Sequence, residues 1–433
     1  MVSQIIFIAI TIAAIALFGY NLKKIIRNIK IGKAADRTDQ PQKRMMTMLK
    51  VAFGQTKMFF RPIPALLHFV VYAGFIIINL EVLEIMIDGI FGTHRIFGGL
   101  GGLYNGLIGS FEILALGVWL ACVIFLIRRN VMKLKRFSGV EMTSWPKSDA
   151  NYILITEILL MSAFLLMNAA DSKLQALGSG HYIVAGGFPV SQYLHGLLPD
   201  TESSLIAIER GCWWFHIIGI FAFLNYLPYS KHFHIILAFP NTYFSNLEPL
   251  GEFNNMKSVT NEVKAMLDPS FTPEEAEAGR FGAKDVNDLT WVNLMNAYTC
   301  TECGRCTSVC PANITGKLLS PRKIMMDTRD RLEQVGKNID KTGNGFDDGK
   351  SLIDTYITRE EIWACTSCNA CTQACPINID PLAIITDLRR YAVMEESQSP
   401  SSIAAMLGNI ENNGAPWKYS PADRLNWAKE NEN

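Results

Sequence analysis

Eight of the ten cysteines in this 433-residue chain stand in two copies of one pattern. The first copy is Cys300-x2-Cys303-x2-Cys306-x3-Cys310-Pro311, and the second is Cys365-x2-Cys368-x2-Cys371-x3-Cys375-Pro376. A C-x2-C-x2-C-x3-C-P run supplies thiolates to [4Fe–4S] clusters, and where two runs occur together the fourth cysteine of each ligates the other cluster. The spacing predicts one cluster on Cys300, Cys303, Cys306 and Cys375, and a second on Cys365, Cys368, Cys371 and Cys310. Zinc also suits paired C-x2-C units. A duplicated run with its fourth cysteine at x3 and a proline after it favours iron and sulfur instead. Disulfides fit less well, because the spacing is too regular for loop staples and clusters need a reducing compartment. The predicted chemistry is one-electron transfer.

A second set of reactive residues lies in apolar surroundings, where ionisable side chains are costly and mark function. These are His68, His216, His232 and His234. On a continuous helix, eighteen residues make five whole turns, so His216 and His234 share a face, whereas His232 is turned about 160° from His216. Two histidines on one face at opposite depths suit axial haem ligands. His68 matches the depth of His234, and the pair is expected to hold a b-type haem. The competing reading is that the histidines hydrogen-bond between helices. His216 is assigned to a second haem or to a quinone. Ile78 and Asn79, ten and eleven residues beyond His68, offer no partner ligand, while His94, His181 and His195 lie in connecting loops that could fold back. Glu81, Glu84, Glu112 and Glu157 could exchange quinone protons as acids or bases, or pair between helices. Cys122 and Cys212 read as ordinary buried thiols.

Five apolar segments position these groups: residues 2–22, 64–90, 103–127, 151–168 and 211–239. Each approaches or exceeds the ~20 residues that a membrane crossing takes. The first has no Lys or Arg before it and a basic stretch after it, and reads as an anchor rather than a cleaved signal. Residues 23–61 carry eleven Lys and Arg and residues 128–147 carry six, while the two alternate loops hold only Arg95, Lys173 and Arg210. That bias places the rich loops in the cytoplasm and the N-terminus outside. Five crossings then leave the cysteines in the cytoplasm. Net charge is zero and unevenly spread, so it says nothing about nucleic acid, but no basic patch is interleaved with aromatics and no nucleic-acid partner is expected.

The expected architecture is all-α, a five-helix transmembrane bundle followed by a helical dicluster ferredoxin domain. The bundle takes residues 1–240, a polar connector 241–298 with acidic residues at 273–277, the dicluster domain 299–392, and a docking tail 393–433. A solvated terminus is the competing reading for that tail. An amphipathic helix over 321–336, with Ile324, Met325 and Leu332 on its apolar face, separates the runs, and Gly343, Gly345 and Gly349 mark a loop after it.

Residues 214–216 through 228–234, Trp-Phe-His and Pro-Tyr-Ser-Lys-His-Phe-His, resemble the last helix of the nitrate reductase cytochrome b subunit. In that family two histidines of this helix bind two haems, each with a histidine from an earlier helix. His68 matches one partner, and Ile78 stands where the other would be. Phe281-Gly-Ala, Asp288-Leu-Thr-Trp291, the first cysteine run and Thr315-Gly-Lys317 resemble the iron–sulfur part of heterodisulfide reductase-like proteins. Fused relatives include membrane oxidoreductases that link electron-transfer flavoprotein to menaquinone. Fuller members continue into cysteine-rich CCG domains, whereas no cysteine follows Cys375 here. The resemblance implies an electron-transfer subunit of a quinone-linked complex in the bacterial cytoplasmic (inner) membrane. It implies a separate CCG-domain subunit or an electron-transfer flavoprotein-type donor as partner. The alternative is a component of a thiol–disulfide oxidoreductase whose catalytic subunit is separate.

Overall fold

The computed structural model describes residues 1–184, 186–272, 279–345 and 347–430. The acidic residues at 273–277 lie outside the described residues. The chain is all-α. Among the described residues the β pairing amounts to two isolated bridges, Lys33 with Thr290 and Ile353 with Ile357. Five described helices are long and apolar enough to cross a membrane: Val2–Ile29, Pro62–Phe91, Gly102–Val131, Trp145–Leu177 and Glu202–Tyr229, spans one to five in order. Their outward faces are apolar, with Ile5, Ile12, Ile63, Leu66, Leu103 and Ile113 exposed. Glu81, Glu84, Glu112, Asn168, Asp171 and His216 are buried between them. This inverts the pattern of a water-soluble protein and suits helices that meet lipid outside and keep ionisable groups inside.

Sequence chemistry sets the span ends. Pro62 and Pro146 sit in the first turns of spans two and four, where a missing N–H costs little. Gly92 and Gly178 close the same helices in the left-handed region, at φ 73° and 72°. Spans four and five share the largest interface of the bundle. Gly219 allows it, since a Cβ there would lie 2.5 Å from the Leu160 side chain.

Span five departs from expectation. The helix stops near Tyr229 instead of running to Phe239. Leu227–Tyr229 and Lys231–Phe233 are two short 3-10 turns, Ser230 between them is extended, and a new helix runs over His234–Tyr243. Pro228 cannot donate the backbone bond that would continue the helix. Asp149 of span four holds the broken turn, accepting from Ser230 Oγ at 2.7 Å and from the Lys231 backbone N–H at 3.1 Å. His216 and His234 are therefore not on one continuous helical face, and the expected rotation of His232 away from the pair does not apply.

The dicluster part repeats its architecture along with its cysteines. A capping box at Thr290 and Asn293 opens the helix Trp291–Thr299, which ends on Cys300. A second box at Thr358 and Glu361 opens Arg359–Ala364, which ends on Cys365. After each run a capped, proline-led helix follows: Ser320 before Pro321–Thr342, and Asp380 before Pro381–Met394. Ile324, Met325 and Leu332 are buried in one core with Cys300 and Cys310. That core also takes Ala283, Val286 and Leu289, so residues assigned to the connector belong to it, as do Ile25, Leu227 and Phe233 of the bundle. Span one runs directly onto this unit. Asn28 donates to Tyr298 Oη at 2.9 Å, Arg27 pairs with Asp340, and the Lys33 backbone N–H donates to Leu289 O at 2.8 Å. In the tail, the helix Ser401–Asn413 buries no residue, and Trp417 and Trp427 are exposed.

Candidate electron-transfer site

Both cysteine loops use the same backbone device. Glu302 and Gly304 in the first, and Ser367 and Asn369 in the second, sit at positive φ of 54°, 70°, 55° and 58°. These are the second and fourth residues after Cys300 and after Cys365. Left-handed residues alternating with right-handed ones turn successive N–H groups to one side, a concavity that suits an anionic group. Sulfurs already receive some of these donors: Ser367 N–H points to Cys365 Sγ at 3.4 Å and Ile379 N–H to Cys375 Sγ at 3.3 Å.

Cys300, Cys303 and Cys306 of the first run line one cavity together with Cys375 and Cys371 of the second, and Met325, Ile377 and Ile379 complete its walls. Cys310 and Cys368 both lie within electrostatic reach of Cys365. Each run's fourth cysteine thus sits with the other run's members. Burial pushes the Cys300 and Cys371 thiols up to about 12 and Cys375 up to about 11, with Cys303 adding to the shifts of Cys300 and Cys375. Thiols so placed are neutral until a cation compensates them, so metal binding here releases protons. Among the described residues no three His, Cys, Asp or Glu side chains are gathered closely enough for a single metal ion. Four thiolates around one zinc would each lie about 2.3 Å from it.

Two tethers join the first loop to the histidines. Glu302, with a side chain 2% exposed, accepts from Lys231 Nζ and from Arg329 at 2.8 Å. Burial alone would raise its carboxyl, but Arg329 and Lys231 hold it below its usual range. Lys231 immediately precedes His232 and lies three residues before His234. On the other side, Arg305 donates to the carbonyls of Lys57 and Met58 at 3.3 Å each. Lys57 reaches back to Asn378 Oδ1 at 2.9 Å, and Arg61 to Ser308 Oγ at 2.7 Å. The segment before span two is thereby clasped by both cysteine loops, and it carries Gln55, whose Oε1 lies 3.1 Å from His68 Nδ1.

The structure brings His68 and His234 together, with ring centroids 6.3 Å apart. Imidazole nitrogens sit about 2 Å from a first-row metal they ligate, so rings on opposite sides of one ion have centroids roughly 6 Å apart. Nδ1 of His234 donates to the Lys231 carbonyl at 3.0 Å, as Nδ1 of His68 faces Gln55. Metal-binding histidines characteristically commit one ring nitrogen in this way and leave the other for the ion. The spacing and the committed Nδ1 atoms fit two imidazoles on one iron, with the rings tilted 43° to each other. His232, expected to face elsewhere, packs edge-on against His234 at 5.4 Å. Burial pushes its imidazole down to about 3, with His234 and His68 adding to the effect.

His216 is buried, donates from Nδ1 to the Leu160 carbonyl at 3.0 Å and packs on Phe164 at 5.8 Å. Among the described residues no histidine ring stacks on it. His94 and His181 pack on each other at 5.3 Å, and His195 Nε2 lies 2.7 Å from Ser172 Oγ. Glu84 accepts from Tyr104 Oη at 2.6 Å and the Phe97 N–H at 2.9 Å. Glu112 accepts from the Val190 and Ser191 N–H groups and from Asn168. Glu157 is half-buried on span four. Glu81 keeps one buried oxygen without a partner. Sequence reasoning missed the group around it: Arg95, counted as a loop charge, is buried and paired with Asp171 at 2.7 Å. A lone arginine in a short loop between two spans was the available signal.

Residues 299–379 match the family model of the 4Fe-4S dicluster domain. Over 99% of its length the chain is 28% identical to "Probable iron-sulfur-binding oxidoreductase FadF" of Bacillus subtilis, covering 61% of that protein. Over 96% of its length it is 26% identical to "EtfAB:quinone oxidoreductase" of Syntrophomonas wolfei, covering 58%. A protein of Archaeoglobus profundus that is itself like a heterodisulfide reductase subunit is 28% identical over 30% of this chain and 56% of its own. The chain thus spans about three fifths of the first two relatives. No solved structure matches it.

Proposed function

We propose that this heterodisulfide reductase-like membrane iron–sulfur protein passes electrons between a cytoplasmic redox partner, two [4Fe–4S] clusters, a b-type haem and the quinone pool, in the direction of menaquinone reduction. Cys300, Cys303, Cys306 and Cys375 would hold one cluster, and Cys365, Cys368, Cys371 and Cys310 the other. His68 and His234 would hold the haem, which when bound takes and gives up one electron at a time. His216, without an imidazole partner, would serve a second haem or a quinone. Gln55 and the Lys231 carbonyl fix the two ring orientations, and the Glu302 and Arg305 tethers keep the first cysteine loop against them. The arrangement suits a bacterial inner-membrane protein with its N-terminus outside and its clusters in the cytoplasm, receiving electrons from an electron-transfer flavoprotein-type donor or a CCG-domain subunit.

The observation that carries this reading is the His68–His234 pair, 6.3 Å apart with both Nδ1 atoms committed. It is tested by the reduced visible spectrum of the full chain in detergent. A b-type band should be present, and should be lost in His68→Ala and in His234→Ala. A band of undiminished height in both variants refutes the ligand assignment, a band reduced by half points to a second haem at His216, and a wild-type chain with no band refutes the haem. The likeness to a heterodisulfide reductase subunit over the dicluster part supports a second reading, a component of a thiol–disulfide oxidoreductase. Purification with a disulfide-reducing subunit rather than a flavoprotein would favour it.

A further inference from the structure

At the end of the bundle remote from the cysteines, a cavity of about 250 Å³ opens between spans one, two and five. Two of its lining residues each carry one buried atom with no partner. Glu81, 3% exposed, pairs through Oε1 with Arg95 at 3.5 Å, while its Oε2 is unpartnered. His94, with a side chain 8% exposed, presents Nε2 to Asp171 at 3.5 Å, and its Nδ1 is unpartnered. Both residues line the cavity. A buried polar atom without a partner costs roughly 1–3 kcal/mol, and native proteins keep such atoms chiefly where something else completes them. The tautomer that carries its proton on Nε2, facing Asp171, leaves Nδ1 of His94 free to accept, and the free oxygen of Glu81 is a second such atom.

The rest of the lining is mixed: Asp88, Arg95, Asp171, Glu209 and Arg210 carry charge, and one side is aromatic. Trp213 and Trp214 meet at 5.1 Å, and Phe7 of span one lies 5.5 Å from Trp213. Phe7 comes this close because Gly89 has no side chain, since a Cβ there would fall 2.6 Å from the Phe7 ring. Ligand pockets run from about 300 Å³ upward, so this one suits a ring-sized headgroup rather than a whole prenylated molecule.

We propose that the cavity takes the headgroup of a quinone or quinol, with Glu81 and His94 as the groups that exchange its two protons. The inference rests on the quinone-linked function proposed above. A quinol presents two O–H donors, which match the two unpartnered acceptors. In the oxidising direction both O–H bonds break, one proton goes to His94 Nδ1 and one to Glu81 Oε2, and two electrons leave singly toward the iron centres. In the reducing direction the protonated pair returns both protons as two electrons arrive. His216 lies one turn from Trp213 on span five, and the second haem it would hold is the one-electron acceptor that this step requires. Neither Glu84 nor Glu112 is needed for the step, since their oxygens are already taken up by Tyr104, Asn168 and backbone N–H groups.

The test is photolabelling of the full chain in membrane vesicles with an azidonaphthoquinone, followed by peptide mapping. Label is expected around Trp213–Trp214 or Gly89 and should be competed by unlabelled naphthoquinone. Glu81→Gln and His94→Asn should each weaken labelling about tenfold while cluster absorbance stays at the wild-type level. If Glu81→Gln does not accumulate, His94→Gln carries the comparison. Label that maps to the cysteine end of the bundle, or is unmoved by these variants, overturns this site and leaves the quinone-linked function standing. No competable label anywhere overturns both.

Discussion

The Lys231–Glu302 pair joins the first cysteine loop to the histidine segment, and its removal has a calculable cost. Lys231 is 9% exposed and Glu302 2%, and the Lys231 ammonium also donates to the Pro146 carbonyl at 2.6 Å. Breaking a buried ion pair by removing one partner costs about 3–5 kcal/mol, because the other charge stays buried and unpaired. Here Glu302 retains Arg329 at 2.8 Å, so Lys231→Met should cost less, about 2–3 kcal/mol. Glu302→Gln leaves Lys231 with the Pro146 carbonyl and with Asp149 at 3.9 Å, and should cost about 2 kcal/mol. The double variant removes both charges and should be milder than the sum by about 1–2 kcal/mol. The assay is urea-driven loss of cluster absorbance in the full chain, with all four proteins compared at equal detergent. Additivity within about 0.5 kcal/mol would mean that the contact does not hold the junction.

Three further perturbations test the same framework. Gly304→Ala places a Cβ 2.6 Å from an Arg322 nitrogen and 2.9 Å from the Arg136 carbonyl at φ 70°, so iron content should fall toward one cluster, whereas Asn369→Gly at the matching position should keep both. Gly336→Leu drives a side chain into Asn28, 2.5 Å from the glycine's virtual Cβ, and should loosen the dicluster unit from span one, seen as faster proteolysis between residues 29 and 41. Asp348 is held down to about 2 by Arg331 and, further, by the Lys350 N–H and Asn338, so its stabilisation is full above the unfolded value near 4 and disappears as pH falls through 2. Asp348→Asn should therefore cost about 1–2 kcal/mol at pH 7 and less than about 0.5 kcal/mol at pH 2, measured by urea midpoints.

What was legible in the sequence was whatever depends on near neighbours or on composition. The cysteine spacing is local, and the structure lines one cavity with Cys300, Cys303, Cys306, Cys371 and Cys375. Span composition is equally local. The break after Tyr229 was present as Pro228 but masked by the apolar residues that continue to Phe239. Treating that stretch as one helix turned His232 the wrong way. The fates of Glu84 and Glu112 were illegible, because their partners are loop N–H groups at Phe97, Val190 and Ser191 that only tertiary folding delivers. Arg95 and Asp171 are 76 positions apart, and no periodicity links them.

One exposed cysteine distinguishes the solvent side of the two cysteine sets. The first set lines a closed-in cavity, with Cys300 buried, and its loop is tied to the histidine segment through Glu302 and Arg305. The second set contains Cys368, the one exposed cysteine among the ten, while its Cys310 and Cys371 are buried. Nearby, Arg389 lies over Trp363 at 5.1 Å and donates to the Cys365 carbonyl. A partner arriving from solvent therefore meets the Cys365 and Cys368 set first, and the set near His68 last. An impermeant oxidant added to the full chain should bleach the cluster on the Cys365–Cys368 side first and spare the other, resolved by spectra of Cys368→Ser against wild type. Simultaneous loss of both clusters would show that burial does not set the order.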